Sequence, residues 1–128
     1  MFKVDLYVLL LAWKANNDEI LLFGDFNKNL YTGELAKLLS GDDLRMIEMC
    51  CRTTGVQLPS THIWGRMPIE AVYATSGLGC AAVTLLASRE GIGDHRVFLF
   101  DIKSNSLLGD VFPWVIPIAR QLYDCALD

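Results

Sequence analysis

Two short acidic segments of the chain combine residue types that could carry chemistry. Residues 24–27 read GDFN and follow an apolar run, and residues 93–96 read GDHR and precede another. Carboxylate and imidazole groups suit metal binding and proton transfer. Each segment is expected at the end of a strand, where a rigid sheet can hold functional groups in place. The two segments together therefore indicate a site with Asp25, Asn27, Asp94 and His95 as its candidate residues.

Each segment taken alone has a simpler interpretation. Asp25 or Asn27 could bond its own backbone in an Asx-turn, which needs no function. A histidine that follows an aspartate is also common at exposed positions. Two such segments in this order, each beside a predicted strand, are more specific than either alone.

These segments resemble motifs of the endonuclease/exonuclease/phosphatase superfamily, which includes apurinic endonucleases, DNase I-like nucleases and retrotransposon endonuclease domains. Residues 24–27 resemble its GDFN motif, and residues 93–95 resemble its late S/G-D-H motif. Between them, residues 65–73 (GRMPIEAVY) resemble an R-x-D-Y-I/V strand, with Glu70 in place of the usual Asp. Residues 59–64 (PSTHIW) resemble the family's P-T-F/W stretch. The resemblance covers residues 15–102 and is greatest to retroelement-derived copies.

The resemblance implies metal-dependent hydrolysis of DNA or another phosphodiester. A divalent cation is needed because the scissile phosphate is anionic and resists attack by water. Asp94 would be a ligand of Mg²⁺ (or Mn²⁺), and Asp25 would orient and deprotonate the attacking water. Asn27 would hold that water or a phosphate oxygen. His95 would contact the phosphate, and Glu70 would hold the His95 ring.

The resemblance also implies a fold and an incomplete site. The family fold is a two-sheet sandwich of two similar halves, and the first half supplies an Asn and a metal-binding Glu. Only the C-terminal half matches here, so we expect an α/β fold that is half of a four-layer αββα sandwich. Its sheet would be mostly antiparallel or mixed and flanked by helices. Residues 1–108 would form this portion and residues 109–128 a tail or linker. The missing half or a second copy of the chain would be a partner.

The composition agrees with half a sandwich. Of 128 residues, 52% are apolar and 20% charged, with a net charge of −4. Such a chain is too apolar to be disordered. It also lacks the basic excess of a pure nucleic-acid binding module, whereas a metal-dependent enzyme gains positive charge from its cation. The apolar share exceeds that of typical soluble domains, as expected where one sheet face lacks its partner.

Two other interpretations stay open. Apart from a truncated enzyme copy that is weakly active or inactive, the chain could be a non-catalytic retroelement remnant that acts as an interaction module or has decayed from one. It could also be a small regulatory α/β domain whose motifs are coincidental. The loss of a metal ligand and of the phosphate-binding groups would lower any rate by several orders of magnitude, since each such group contributes about 10²–10³-fold. The sequence thus leaves enzymatic activity uncertain.

The elements that must position these residues follow from periodicity and turn signals. Residues 2–16 predict a helix buried around most of its circumference. Its apolar run is too short to span a bilayer and lacks a cleavage site. Together with cysteines in no metal-binding spacing, this predicts an intracellular protein of the nucleus or cytoplasm, away from membranes. The pattern further predicts helices from about residue 32 and over 42–51, a buried strand over 19–23, and strands over 61–64, 69–75, 81–87 and 96–102.

Overall fold

The computed structural model describes residues 2–91 and 93–109, which form a mixed α/β arrangement with two small antiparallel sheets. One sheet has the strand order β1-β3-β2, and the other pairs β4 with β5. The four helices and five strands of the described residues are α1 (Phe2–Ala15), β1 (Leu21–Asp25), α2 (Glu34–Ser40), β2 (Ile47–Glu48), α3 (Met49–Thr54), β3 (Glu70–Ala74), β4 (Cys80–Leu85), β5 (Phe98–Ile102) and α4 (Ser104–Leu108).

β3 is the central strand of the larger sheet and its most buried one. Residues 71–74 are all buried, because β1 and β2 cover the two edges of β3 and α3 packs against it. β1 is an edge strand instead, and its side chains alternate between exposed and half-buried. The prediction of a strand buried on both faces near residues 19–23 is therefore wrong: Phe23 is 72% exposed.

The main core lies between α1, α2 and the larger sheet. Its buried side chains include Leu10, Leu39, Leu44, Met46 and Tyr73. A second, smaller cluster joins β3 to the other sheet and consists of Met49, Val72, Ala74 and Leu78, with Cys80, Phe100 and Ile102 packed against it. The two clusters tie both sheets to one body.

The helix predicted over residues 42–51 is not one helix. A turn covers residues 42–44, and Arg45 adopts the left-handed backbone region (φ 50°), which a helix does not accommodate. β2 follows, and Glu48 then begins α3 by accepting hydrogen bonds from the backbone N–H groups of Cys50 and Cys51. The Glu48 side chain is therefore the N-cap of a new helix, because it accepts from two N–H groups that have no partner within the helix.

Two further predictions need correction. Residues 61–64 form no extended strand, and only His62 pairs there, in an isolated bridge to His95. α1 ends where the sequence predicted, but Leu10 is its one buried residue among those described, and Phe2, Val4 and Val8 are exposed. The apolar surface of α1 thus exceeds what the described residues cover.

Residues 110–128, most of the predicted tail, lie outside the described residues. None of the helices described is both long and apolar enough to cross a membrane.

The buried Glu48 carboxylate gives a pH-dependent contribution to stability. Glu48 is 6% exposed, and its burial raises the pKa of the carboxyl above the ordinary value of 4.5, although the two N–H bonds oppose this shift. Because the pKa is higher in the folded state, the unfolded chain loses this proton first as the pH rises. The stability that Glu48 contributes is therefore complete below the unfolded pKa and is lost as the pH rises through the folded pKa.

We expect Glu48→Gln, whose amide stays neutral, to remove this pH dependence. As the pH rises above about 4, the ordinary range of a glutamate carboxyl, the free energy of unfolding of the wild type should fall relative to that of the variant. Urea denaturation of both proteins at several pH values measures the difference. A difference that stays constant with pH would contradict a raised pKa at Glu48.

Candidate active site

The antiparallel pairing of β1 with β3 brings the first two site carboxylates together. β1 ends at Asp25 and β3 begins at Glu70, and the register places these two residues opposite each other. Opposite residues of an antiparallel pair project from the same face of the sheet. The pairing continues one step further, since the Phe26 N–H donates to the Ile69 carbonyl at 2.8 Å. The end of the ladder therefore holds both carboxylates on one side.

A second backbone junction brings the late acidic segment to the same place. The Ile63 N–H donates to the Asp94 carbonyl at 2.9 Å, and the Arg96 N–H donates to the Thr61 carbonyl at 2.8 Å. Thr61 is fully buried, and its hydroxyl oxygen accepts hydrogen bonds from the N–H groups of Ile69 (3.0 Å) and Glu70 (3.3 Å). Thr61 thus connects the start of β3 to the segment that carries Asp94 and His95.

Glu70 and His95 form the most buried contact of the site. The His95 Nδ1 atom contacts the Oε1 atom of Glu70, whose side chain is only 13% exposed. Apart from this contact, neither Glu70 oxygen has a hydrogen-bond partner within residues 2–91 and 93–109. A carboxylate on one ring nitrogen fixes the orientation of an imidazole and leaves its other nitrogen for a ligand. The Nε2 atom of the half-exposed His95 is that free nitrogen.

Asp94 lies between two imidazoles. Its Oδ1 atom is 3.5 Å from His95 Nε2, and its Oδ2 atom is 3.0 Å from His62 Nε2. The two rings are nearly perpendicular, with centroids 4.9 Å apart. His62 is thus a member of the site, although the sequence predicted only a strand over residues 61–64 there. Its one signal in the sequence was its place in residues 59–64, the segment that resembles the P-T-F/W stretch.

Asn27 is the candidate residue that the structure leaves apart from the others. Its backbone N–H donates to the Asp25 Oδ1 atom at 2.9 Å, and its φ of 51° is in the left-handed region. This is the Asx-turn that the sequence allowed as a simpler interpretation. The turn occupies one oxygen of the exposed Asp25 carboxylate and holds the group at the strand end. The described contacts place no hydrogen bond between the Asn27 side chain and the remaining site residues.

Arg96 follows His95 in sequence but is engaged elsewhere. Its Nε–H donates to the Leu86 carbonyl at 2.6 Å, and a terminal nitrogen lies 3.4 Å from the Leu85 carbonyl. These bonds hold the guanidinium against the end of β4, where it stabilises the hairpin rather than a phosphate.

The site offers two overlapping groups of residues whose side-chain atoms lie close enough together to hold a metal ion. One consists of His62, Asp94 and His95, and the other of Asp25, Glu70 and His95. In each group, one ligand atom per residue lies within 4.8 Å of the others, and His95 belongs to both. Carboxylate oxygens suit Mg²⁺, and a set that also contains imidazole nitrogen suits Mn²⁺ and other transition metals. The donor set therefore fits a divalent cation.

Comparisons of the chain with family models, with curated proteins and with solved structures return no match. The chemistry of the site therefore has to be inferred from its own residues. Four of the five residues singled out in the sequence, Asp25, Glu70, Asp94 and His95, meet at one end of the larger sheet, and His62 joins them.

Proposed function

We propose that this chain carries part of a metal-dependent phosphodiesterase site of the endonuclease/exonuclease/phosphatase type, with DNA or another phosphodiester as substrate. The observation that carries the proposal is the contact of His95 with Glu70, next to Asp25 and Asp94. Residues far apart in sequence converge there on one exposed strand end. Phosphodiester hydrolysis needs such a set: a metal ligand, a base for water, and a donor for the phosphate.

Each side chain has a role that its position allows. A bound Mg²⁺ or Mn²⁺ would polarise the phosphate and neutralise its developing charge. The exposed Asp94 would hold that ion. Asp25, held by its Asx-turn, would accept the proton of the attacking water, and Asn27 would bond this water or a phosphate oxygen. His95, oriented by Glu70 through Nδ1, would carry a second proton on Nε2 in the reacting state and donate a hydrogen bond from it to the phosphate.

The proposal includes a partner for the apolar side of the sheets. An apolar cavity of about 370 Å³ lies beside the site, and its lining includes Leu21, Phe23, Phe98 and Phe100. An uncovered apolar face of this kind supports half of a four-layer αββα sandwich, in which a second sheet would pack on it. Asp94 alone cannot complete the coordination of Mg²⁺. An N-terminal half-domain or a second copy would cover the face and supply the remaining ligands.

Nicking of supercoiled plasmid in Mg²⁺ and in Mn²⁺ tests this function. We expect Asp25→Asn to lower the nicking rate by about 10²–10⁴-fold, because the amide cannot accept the water proton. Asp101→Asn is the matched control, since Asp101 is an exposed aspartate of β5 away from the site. Its rate should equal that of the wild type. Equal rates for Asp25→Asn and wild type would contradict the proposal.

The exposed apolar surface favours a second candidate, a non-catalytic interaction module. Large apolar side chains of α1 and β1 are exposed, among them Phe2, Val8, Trp13 and Phe23. Apolar surface on this scale marks a contact with another molecule. A wild type that does not nick but assembles as its concentration rises, in sedimentation velocity, would favour this candidate. A monomer that does not bind an apolar dye would contradict it.

A further inference from the structure

The two ring nitrogens of His62 have different partners. Nδ1 lies 3.2 Å from the backbone nitrogen of Trp64, and Nε2 lies 3.0 Å from Asp94 Oδ2. A backbone N–H can only donate, so Nδ1 must accept the bond with its lone pair. In the neutral ring the proton therefore resides on Nε2, and this N–H donates to the Asp94 carboxylate. The chain itself fixes the tautomer of His62.

The backbone around His62 is held firmly. The His62 carbonyl accepts a hydrogen bond from the Gly65 N–H at 3.0 Å, and the Ser60 hydroxyl lies 2.9 Å from the same oxygen. On its other side, His62 pairs with His95 in the antiparallel bridge. A tight turn and a cross-strand pairing thus fix the position from which the imidazole reaches Asp94.

The hydrogen bond from His62 Nε2 fixes the orientation of the Asp94 carboxylate. Its side chain is 56% exposed, and the hydrogen bond from His62 is the one side-chain bond its carboxylate receives within the described ranges. His95 Nε2, at 3.5 Å from the other oxygen, is too far for a normal hydrogen bond. A carboxylate held in one orientation loses less freedom when it binds a cation than one that rotates.

We infer that His62 is a positioning residue: its Nε2–H orients Asp94 for the divalent cation. The inference rests on the proposed function and adds to it a residue outside the motif set. A direct metal–His62 bond is disfavoured by the same geometry, because it needs the Nε2 lone pair. The ring proton would then sit on Nδ1 and face the Trp64 N–H. His62 therefore acts on the cation through Asp94, in the way that outer groups orient metal-binding carboxylates.

Two substitutions separate the hydrogen bond from the bulk of the ring. The amide nitrogen of glutamine in His62→Gln reaches the region of Nε2 and donates, whereas His62→Leu fills space without a donor. We expect His62→Leu to weaken Mn²⁺ binding by about 10–100-fold and His62→Gln to stay within about threefold of the wild type. Electron paramagnetic resonance of free Mn²⁺ measures these affinities without any turnover, and circular dichroism verifies folding.

The outcomes distinguish this inference from the function on which it rests. If the wild type binds Mn²⁺ no better than Asp94→Asn, the proposed metal site itself is wrong. If the wild type binds and both His62 variants bind equally well, only the positioning role is wrong. Equal loss in His62→Gln and His62→Leu would also overturn it and identify the ring as a direct ligand.

Nitrogen NMR of the wild type gives a second measurement that needs no variant to fold. At alkaline pH, where the ring is neutral, we expect ¹⁵N shifts and long-range couplings of His62 that place the proton on Nε2. A proton on Nδ1 would overturn the inference.

Discussion

The His95→Ala variant is expected to nick plasmid DNA about 10²–10³ times more slowly than the wild type. The imidazole of His95 contacts the buried Glu70 carboxylate, and in the proposed site its other nitrogen would face the substrate phosphate. Its removal deletes the donor to the phosphate. It also leaves both Glu70 oxygens buried without any contact. The loss should appear in kcat with little change in KM, since the donor acts most strongly in the transition state.

Glu70→Gln is the matched comparison for His95→Ala. It preserves the size of the side chain but removes the charge that holds the ring, so the nicking rate should fall by about 10–100-fold, less than for the alanine variant. Mn²⁺ affinity measured for both variants verifies that the Asp94 end of the site remains intact. A His95→Ala protein that nicks at the wild-type rate would show that the imidazole takes no part in the reaction.

The second large effect is on stability, at Thr61. Replacing Thr61 with valine preserves its shape but removes the oxygen that accepts from the Ile69 and Glu70 N–H groups. A fully buried N–H left without a partner costs about 1–3 kcal/mol. Because these two hydrogen bonds are only part-buried, we expect a loss in the lower part of that range for each, or about 2–4 kcal/mol together in the free energy of unfolding. This is a large fraction of the stability of a small domain. Urea denaturation followed by circular dichroism measures the change.

Thr61→Ser is the control, because its hydroxyl keeps both hydrogen bonds and only a methyl group is lost. Its loss of stability should be clearly smaller than that of Thr61→Val. Where Thr61→Val remains folded, its Mn²⁺ affinity should also fall, since Thr61 connects β3 to the bridge beside His62 and Asp94. Unfolding free energies of the valine and wild-type proteins that agree within about 0.5 kcal/mol would contradict this role.

The sequence predicted the later strands better than the earlier elements. β3, β4 and β5 are rich in apolar and β-branched residues, and short turn segments rich in glycine or serine bound them, so local pattern was enough. Residues 42–51 differ because their structure depends on a left-handed Arg45 and on the capping of α3 by Glu48. The spacing of apolar residues does not show whether one helix runs through a segment or whether a new, separately capped helix begins within it.

The site was predictable in part for a similar reason. Asp25 and Glu70 begin or end strands that local pattern reveals, and their resemblance to motifs linked them to Asp94 and His95. His62 could not be assigned in this way. Its contact with Asp94 depends on a backbone bridge between segments more than thirty residues apart, and no local pattern encodes that pairing. The burial of α1 was overestimated. Apolar residues in a helix indicate that other side chains should pack against it, but they do not show which side chains those are.

The strand order β1-β3-β2 has a consequence for how the protein is made. β1 and β2 leave the ribosome before β3, the strand that lies between them in the sheet. Neither can form its ladder until Ala74 has emerged, and the site residues remain scattered until His95 follows. The nascent chain must therefore carry β1 and its apolar side chains without a strand partner until β3 has been translated. Such unpaired strands are the segments on which chaperones act, and they make folding of this sheet a late event.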